Sequence, residues 1–444
     1  MSAQDEFSLA QSRALYERAR QVMPGGVNAS ARFDPSLKHP LFMDHGEGAY
    51  VYDVDGNRYI DYNLSHGASL LGHGHPAVVA AVQEALQRGV LAAYETKVQV
   101  EVAEQLLRLF PGAEMVRYAG TGTEATWHAA RIARAHTGRW GVVKFEGHYH
   151  GVNDTLGFSC RPPMASAGPA DCPTPVPESA GIPPYSADLI TVLSFNNLEV
   201  LERTLRENAH KLAALIMEPI NYDAQGIRPT PEFLKAVREL TRELGIVLIF
   251  DEVLSCFRVG PGAALADSGV TPDMTVLGKA VGGGIPISVL LGTRSIMETC
   301  TPTGPALHSG TYNAPLVHVV AIGAFLDQVT KPGFYEHLYA LGDRLYAGMR
   351  DIFQRHGLTA WVQGIGARFG LLFGLDSEPR NYRDTTRQNM AQMAAFHLGC
   401  LRRGVYLHHF SPHHGFSSAH TMADIEETLD VMDQVVGEMA RGAE

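Results

Sequence analysis

The chain is poor in cysteine: five in 444 residues, at positions 160, 172, 256, 300 and 400, scattered and never spaced C-x-x-C. That excludes a disulfide framework and a zinc-thiolate cluster, both of which need paired thiols, and it fits a reducing compartment. Long apolar runs are missing too. None approaches the ~20 residues that a membrane helix needs, and the polar, acidic start from Met1 to Gln11 is unlike a signal or transit peptide. Positive charge is short, with 36 Lys and Arg against 47 Asp and Glu for a formal net charge of −11, so no basic surface is offered to nucleic acid or an anionic membrane. No G-x-G-x-x-G lies between a strand and its helix, which removes the dinucleotide fingerprint. There is no internal repeat or charge block. A cytoplasmic enzyme acting on small molecules is the simplest class left.

What is present is apolar bulk and alternation. With 45% apolar residues the chain can bury large cores and divide into two domains or more. Leu9 to Val22 has helical periodicity and stops at Met23-Pro24-Gly25-Gly26, and Tyr50 to Asp61 alternates around an Asp-Gly-Asn turn as a hairpin does. From about Pro76 to Thr330, helical and strand patterns take turns. Strands are expected at Val142 to Phe145, Leu215 to Met217, Ile246 to Phe250, Met274 to Leu277 and Ile287 to Leu291. Such alternation implies a mostly parallel sheet with helices on both faces. Cys160 to Pro184, rich in Pro, Ala and Ser, reads as a long surface loop of the kind that covers active sites. Beyond Pro332 come a helix (Phe334 to His356), a strand region at Gly364-Ile365-Gly366, a helix near Asn389 to Arg403 and a closing helix from Asp424, a pattern that suits a smaller α+β domain.

The chemistry gathers around one lysine. Lys279 follows the apolar run Thr275 to Leu277 and precedes Gly282-Gly283-Gly284, where backbone can approach a ligand closely. Gly245 to Val253 reads as a buried parallel strand ending in Asp251 and Glu252. Ligands of open α/β sheets sit at the carboxyl ends of strands, so Asp251 and Lys279 can share a crevice. A lysine able to form a Schiff base and an aspartate for a pyridinium nitrogen are what pyridoxal 5'-phosphate (PLP) requires of a protein. A strand-end salt bridge beside a glycine turn fits the two segments equally well.

The other segments are weaker alone. Gly120 to Thr126 opens a helical stretch, Trp127 to Ala135, and offers free amides and hydroxyls as a phosphate cradle, or simply a capped helix. In Phe145 to Gly151, Tyr149 could stack on a flat cofactor, and in Met217 to Asn221 polar groups at a strand end could meet a cofactor hydroxyl. His308 to Asn313 reads as a turn. His408, His409, His413, His414 and His420 are dense but lack zinc-ligand spacing, so no metal is expected and an anion-contacting or structural role fits them better.

Taken in order, Pro24-Gly25-Gly26-Val27-Asn28, Gly122-Thr123-Glu124-Ala125, Tyr149-His150-Gly151, Asp251-Glu252-Val253, Leu277-Gly278-Lys279 with its glycines, and Gly310-Thr311 resemble the class III PLP-dependent aminotransferases. Within them the chain looks like the branch of glutamate-1-semialdehyde 2,1-aminomutase, over nearly its whole length. The resemblance implies fold type I, with residues 1–70 packing on the small domain, a large PLP-binding domain at 71–331 and a C-terminal small domain at 332–444. It implies that Lys279 carries the cofactor and moves protons at the substrate carbon, and that Asp251 pairs with the pyridine nitrogen. Gly122 and Thr123 would hold the phosphate, Tyr149 and Val253 would flank the ring, and Asn221 or Asp223 would contact its hydroxyl. Thr311 would reach the phosphate of a neighbouring subunit, making a homodimer with shared sites.

Departures from the branch concern the substrate. Gly25-Gly26-Val27-Asn28-Ala29-Ser30-Ala31-Arg32 keeps the arginine of the branch pattern, so Arg32 is the expected carboxylate partner, but loses its serine. Near the C-terminus the branch has a glutamate before Ala-Gly-Phe, where this chain reads Pro412-His413-His414-Gly415-Phe416. With His413 or His414 in place of an acid, transfer of an amine from a carboxylate-bearing donor to a separate keto acceptor is expected ahead of internal migration. The aminomutase reaction is the alternative; a PLP-dependent lyase or racemase and a non-catalytic PLP-binding protein rank below it.

Overall fold

The computed structural model describes residues 7–409 and 414–442. They divide into two compact units, one holding the described parts of Met1–His75, Glu336–Glu378 and Gln388–Glu444, the other Pro76–Tyr335 and Pro379–Arg387. The sequence alone placed the divisions near residues 70 and 331, and did not foresee that Pro379–Arg387 belongs with the second unit. The reason lies in Arg383, whose guanidinium donates to both carboxylate oxygens of buried Glu146 (2.8 and 2.9 Å) and to the Gly168 carbonyl (2.9 Å).

The second unit is built on a seven-stranded sheet. Its order is Met115–Ala119, Ser288–Gly292, Met274–Leu277, Val247–Asp251, Leu212–Met217, Gly141–Phe145 and Ile190–Leu193. Only Ser288–Gly292 runs antiparallel to its neighbours; the five strands on its far side pair parallel. All six residues of Leu212–Met217 and all five of Val247–Asp251 are buried, as strands covered on both faces must be. Apolar clusters lie on both faces. One is made by Ala125, Ala129 and Ile132 of the helix Gly122–Thr137 with Ile216 and Ile249; the other by Phe233 and Val237 of the helix Pro231–Leu244 with Leu215 and Leu248. The sequence expectation for this sheet holds, and Met115–Ala119 and Ile190–Leu193 are additions to it: the first contains Arg117 and the second is four residues long. The helix expected over Trp127 to Ala135 starts at Gly122, because Thr121 caps it by accepting the Glu124 N–H (3.2 Å).

The first unit carries two small sheets. The hairpin strands Tyr50–Asp53 and Arg58–Asp61 extend to Met43–Glu47 on one side and, in parallel, to Val405–Tyr406 on the other. Ala360–Ile365, Arg368–Phe373 and His414–Gly415 form an antiparallel sheet, so Gly366, expected within a strand, lies in the turn between two. Helices Ala10–Val22, Met390–Leu401 and Met422–Arg441 accompany them. Among the described residues no helix is long and apolar enough to cross a membrane.

Candidate active site

The carboxyl ends of four neighbouring parallel strands deliver the site. Asp251 ends its strand level with Val276, and the Glu252 N–H donates to the Val276 carbonyl (2.8 Å), so Lys279, three residues on, emerges beside Asp251. On the other side Met217 pairs with Phe250, which sets Glu218 next to Asp251. Gly141–Phe145 feeds the turn bearing His148, Tyr149 and His150. This crevice is where open α/β sheets bind ligands.

Asp251 is 4% exposed. Its Oδ2 accepts from Nδ1 of the fully buried His150 (2.8 Å) and its Oδ1 from the Val253 N–H (3.1 Å). Burial lowers the His150 pKa, against the pull of Asp251, so the ring is a neutral donor and fixes the carboxylate without neutralising it. Glu218 lies in a different environment. Burial raises its carboxyl well above the usual range, the charges of Asp223 and Asp251 push the same way, and the Lys279 ammonium pulls back. The Tyr149 N–H donates to Glu218 Oε1 (2.8 Å), and the Glu218 N–H donates to His148 Nδ1 (3.0 Å). Two carboxyls thus lie side by side, and burial with its acidic neighbours disfavours the charged form of Glu218.

Lys279 is half-buried and has φ +46°, a left-handed conformation costly for a residue with a Cβ and held only where the surroundings dictate it. Gly278 before it has no room for a side chain: a Cβ there would stand 3.1 Å from both Ser288 Oγ and Val253 Cγ1. Val253 reaches equally towards Gly122, whose Cβ would lie 3.1 Å from Val253 Cγ2. The start of the helix Gly122–Thr137 is therefore packed against the residue that follows the acid pair. Thr126 Oγ1 donates to the His150 carbonyl (2.7 Å), and Thr123 Oγ1 accepts the Val152 N–H (3.2 Å), which joins the helix start to the His150 turn. Gly151, at φ +90°, would place a Cβ 2.5 Å from Thr123 Oγ1, so only glycine permits this approach.

These residues fit PLP. Asp251 is a buried acid that accepts hydrogen bonds from the His150 ring and the Val253 N–H, a setting that a pyridinium N–H would complete. Asn221 is fully buried; its Oδ1 accepts the Ala224 N–H (2.9 Å), while its Nδ2 has no acceptor among the described residues and would lie 3.2 Å from a Cβ on Gly147. Such an amide suits a ligand oxygen. The first turn around Gly122 and Thr123 offers backbone N–H groups to an anion on a sixteen-residue helix. Tyr149 is 39% exposed, a ring available for stacking.

The second unit therefore brings together Lys279, Asp251, Val253, Gly122, Thr123, Tyr149 and Asn221. Thr311 is exposed on the same unit. The substrate candidates belong to the first unit. Arg32 is exposed on the 3₁₀ turn Ser30–Arg32. His414 is 1% exposed, its ring against Phe369 (5.4 Å) and His397 (5.1 Å), and burial first of all lowers its pKa well below the usual value. His413 lies outside the described residues. Sequence reasoning did not foresee that His150 orients Asp251 or that Glu218 ties down the Tyr149 backbone. The usable signal was that Glu218 directly follows the buried strand Leu212–Met217 and that His150 lies in the turn after Gly141–Phe145.

Comparison with known proteins agrees with this geometry. A sequence profile of the family "Aminotransferase class-III" matches residues 33–429. A glutamate-1-semialdehyde 2,1-aminomutase of Laribacter hongkongensis is 40% identical over 425 residues, 95% of this chain and 98% of the relative. An omega-transaminase from Sphaerobacter thermophilus superposes with a TM-score of 0.91 at 32% identity, covering 97% of this chain and 98% of its own. A transaminase structure with PLP bound gives 0.89 at 30% identity over 98% and 99%.

Proposed function

Because the chain belongs to the class-III aminotransferases and uses their cofactor PLP, we propose that it moves an amino group from a carboxylate-bearing donor to a separate keto acceptor, with Lys279 and Asp251 as its catalytic pair. The observation that carries this reading is the placement of Lys279 and Asp251 at the ends of adjacent parallel strands. When bound, PLP supplies an electron sink for the carbon that bears the amine. Asp251 holds a proton at the pyridine nitrogen, and His150 keeps the carboxylate aimed. Lys279 Nζ takes a proton from the substrate carbon and returns it. Gly122 and Thr123 would hold the cofactor's phosphate, Asn221 Nδ2 would donate to its ring oxygen, and Tyr149 and Val253 would flank its ring.

The second reading is intramolecular transfer, favoured by the similarity to the glutamate-1-semialdehyde 2,1-aminomutase of Laribacter hongkongensis. Against it stands the missing acid in the segment Pro412-His413-His414. A screen of amino donors and keto acids, followed by conversion of the cofactor between its aldehyde and amine forms, separates the two. Arg32 is proposed as the donor's carboxylate partner. Its loss removes a charge-assisted hydrogen bond, so Arg32→Ala is expected to raise the donor KM by about 10- to 100-fold. Efficient conversion of glutamate-1-semialdehyde to 5-aminolevulinate, with no transfer to any added keto acid, would overturn the proposal in favour of the second reading.

The working unit is proposed to be a homodimer, with Thr311 of each copy serving the other's phosphate. Gln99 Nε2 donates to the Tyr94 and Ala314 carbonyls (3.0 and 2.8 Å), joining two segments that expose Val90, Tyr94 and Tyr312. Bare apolar side chains of this kind suit a second copy. Mixing inactive Lys279→Ala subunits with inactive Thr311→Glu subunits is expected to restore part of the activity. Demonstrated heterodimers without recovery count against a shared site.

A further inference from the structure

Lys144 lies in the middle of the strand Gly141–Phe145 and is 0% exposed. Its Nζ donates to the carbonyls of His148 (2.9 Å) and Leu156 (3.3 Å) and, at closer range, of Phe158. Three acceptors match the three N–H bonds of an ammonium, whereas a neutral amine has two. Among the described residues no carboxylate is hydrogen-bonded to Lys144. Burial lowers the Lys144 pKa, with the charges of Cys160, Glu178, Glu218 and Asp223 pulling the other way; burying a charge is costly unless its hydrogen-bonding capacity is filled, and here backbone fills it. The three carbonyls belong to one irregular segment, 146–158, which also carries Tyr149 and His150 and has no strand or helix to hold its shape.

We propose that Lys144 is a positioning residue for amine transfer: its ammonium gathers three carbonyls of the 146–158 loop and thereby sets His150 against Asp251. The proposal rests on Asp251 and Lys279 being the catalytic pair. The geometry runs in one line, from Lys144 to the loop carbonyls, through the His148–Glu218 and Tyr149–Glu218 bonds, to His150 Nδ1 and the Asp251 carboxylate. The ammonium has a second effect. Its charge opposes protonation of both His148 and His150, adding to the effect of burial. The charged groups acting on His150 are Asp251 and Asp223, which favour its protonation, and Lys144, which opposes it; the His148 ring lies 6.1 Å away. Removing the Lys144 charge therefore moves His150 protonation to higher pH, although burial still opposes it.

The test uses the PLP-loaded enzyme and three variants. In Lys144→Met the acid limb of the bound cofactor's visible absorbance against pH is expected to move up by about one pH unit. Its kcat is expected to fall about tenfold or more with the donor KM within about threefold, the pattern of a misplaced catalytic group rather than a lost binding group. Lys144→Gln keeps two N–H donors and loses the charge, so it is expected to recover loop order but keep the shifted acid limb. Lys144→Arg keeps the charge and is expected to leave the acid limb in place. Amide hydrogen exchange in the unmodified holoenzyme is expected to be as slow across 146–158 as in Gly141–Phe145. An unshifted acid limb in the folded Met or Gln variant overturns the proposal, and so does fast exchange across 146–158 in the unmodified enzyme. The absorbance and exchange readouts need no substrate, so they stand even if the transamination reading fails.

Discussion

Replacing Lys279 with alanine is expected to lower kcat/KM by about 10⁴-fold, the upper range for removal of a group that transfers protons at the reacting carbon. The same change removes the amine that binds the cofactor covalently. Borohydride reduction of the wild-type enzyme should therefore bleach its yellow colour and leave a reduced adduct on Lys279, identifiable by peptide mass. The strain at this residue adds a second expectation. With φ +46° at position 279, alanine inherits a conformation it does not favour, while glycine adopts it freely. Lys279→Gly should thus be at least as stable as Lys279→Ala while being equally inactive. A reduced adduct on a different lysine would falsify the assignment.

Asp251→Asn is expected to keep the fold and lose about 10²- to 10³-fold in kcat, the scale for a single preorganised electrostatic partner. The change is close to isosteric, but an amide cannot hold a proton on the pyridine nitrogen as a carboxylate does. It also alters the His150 contact. Burial keeps that imidazole neutral with Nδ1 as donor; an asparagine oxygen can still accept this bond, so the backbone around Tyr149 should stay in place. Retained cofactor colour with turnover near that of the wild type would show that Asp251 is not the nitrogen's partner.

The sequence made the central sheet legible where strands are long and uniformly apolar. Leu212–Met217 and Val247–Asp251 are of this kind because both faces are covered, and their polar exits at Glu218 and Asp251 marked the ligand side. Met115–Ala119 has three half-buried residues, Arg117 among them, a pattern that does not declare itself as a strand. The phosphate cradle was legible as glycine and threonine at a helix start, yet its dependence on Gly151 and Val253 was not, because those contacts join separate parts of the chain. Likewise His150 and Asp251 are 101 positions apart, and no local pattern pairs them. Lys144 left a faint sign. A lysine inside Val142-Val143-Lys144-Phe145 contradicts a strand covered on both faces unless something there receives its charge.

The four strands that carry His150, Glu218, Asp251 and Lys279 are parallel neighbours joined by long crossovers, and contacts so distant along the chain form late and slowly. A half-made sheet has a lysine but no crevice around it. The coloured holoenzyme therefore signals completed assembly, and a molecule that binds only the finished protein draws folding forward in proportion to the logarithm of its free concentration. In a cell short of the cofactor, this chain would spend longer as an unfinished sheet with open edges, exposed to proteases and to its own neighbours.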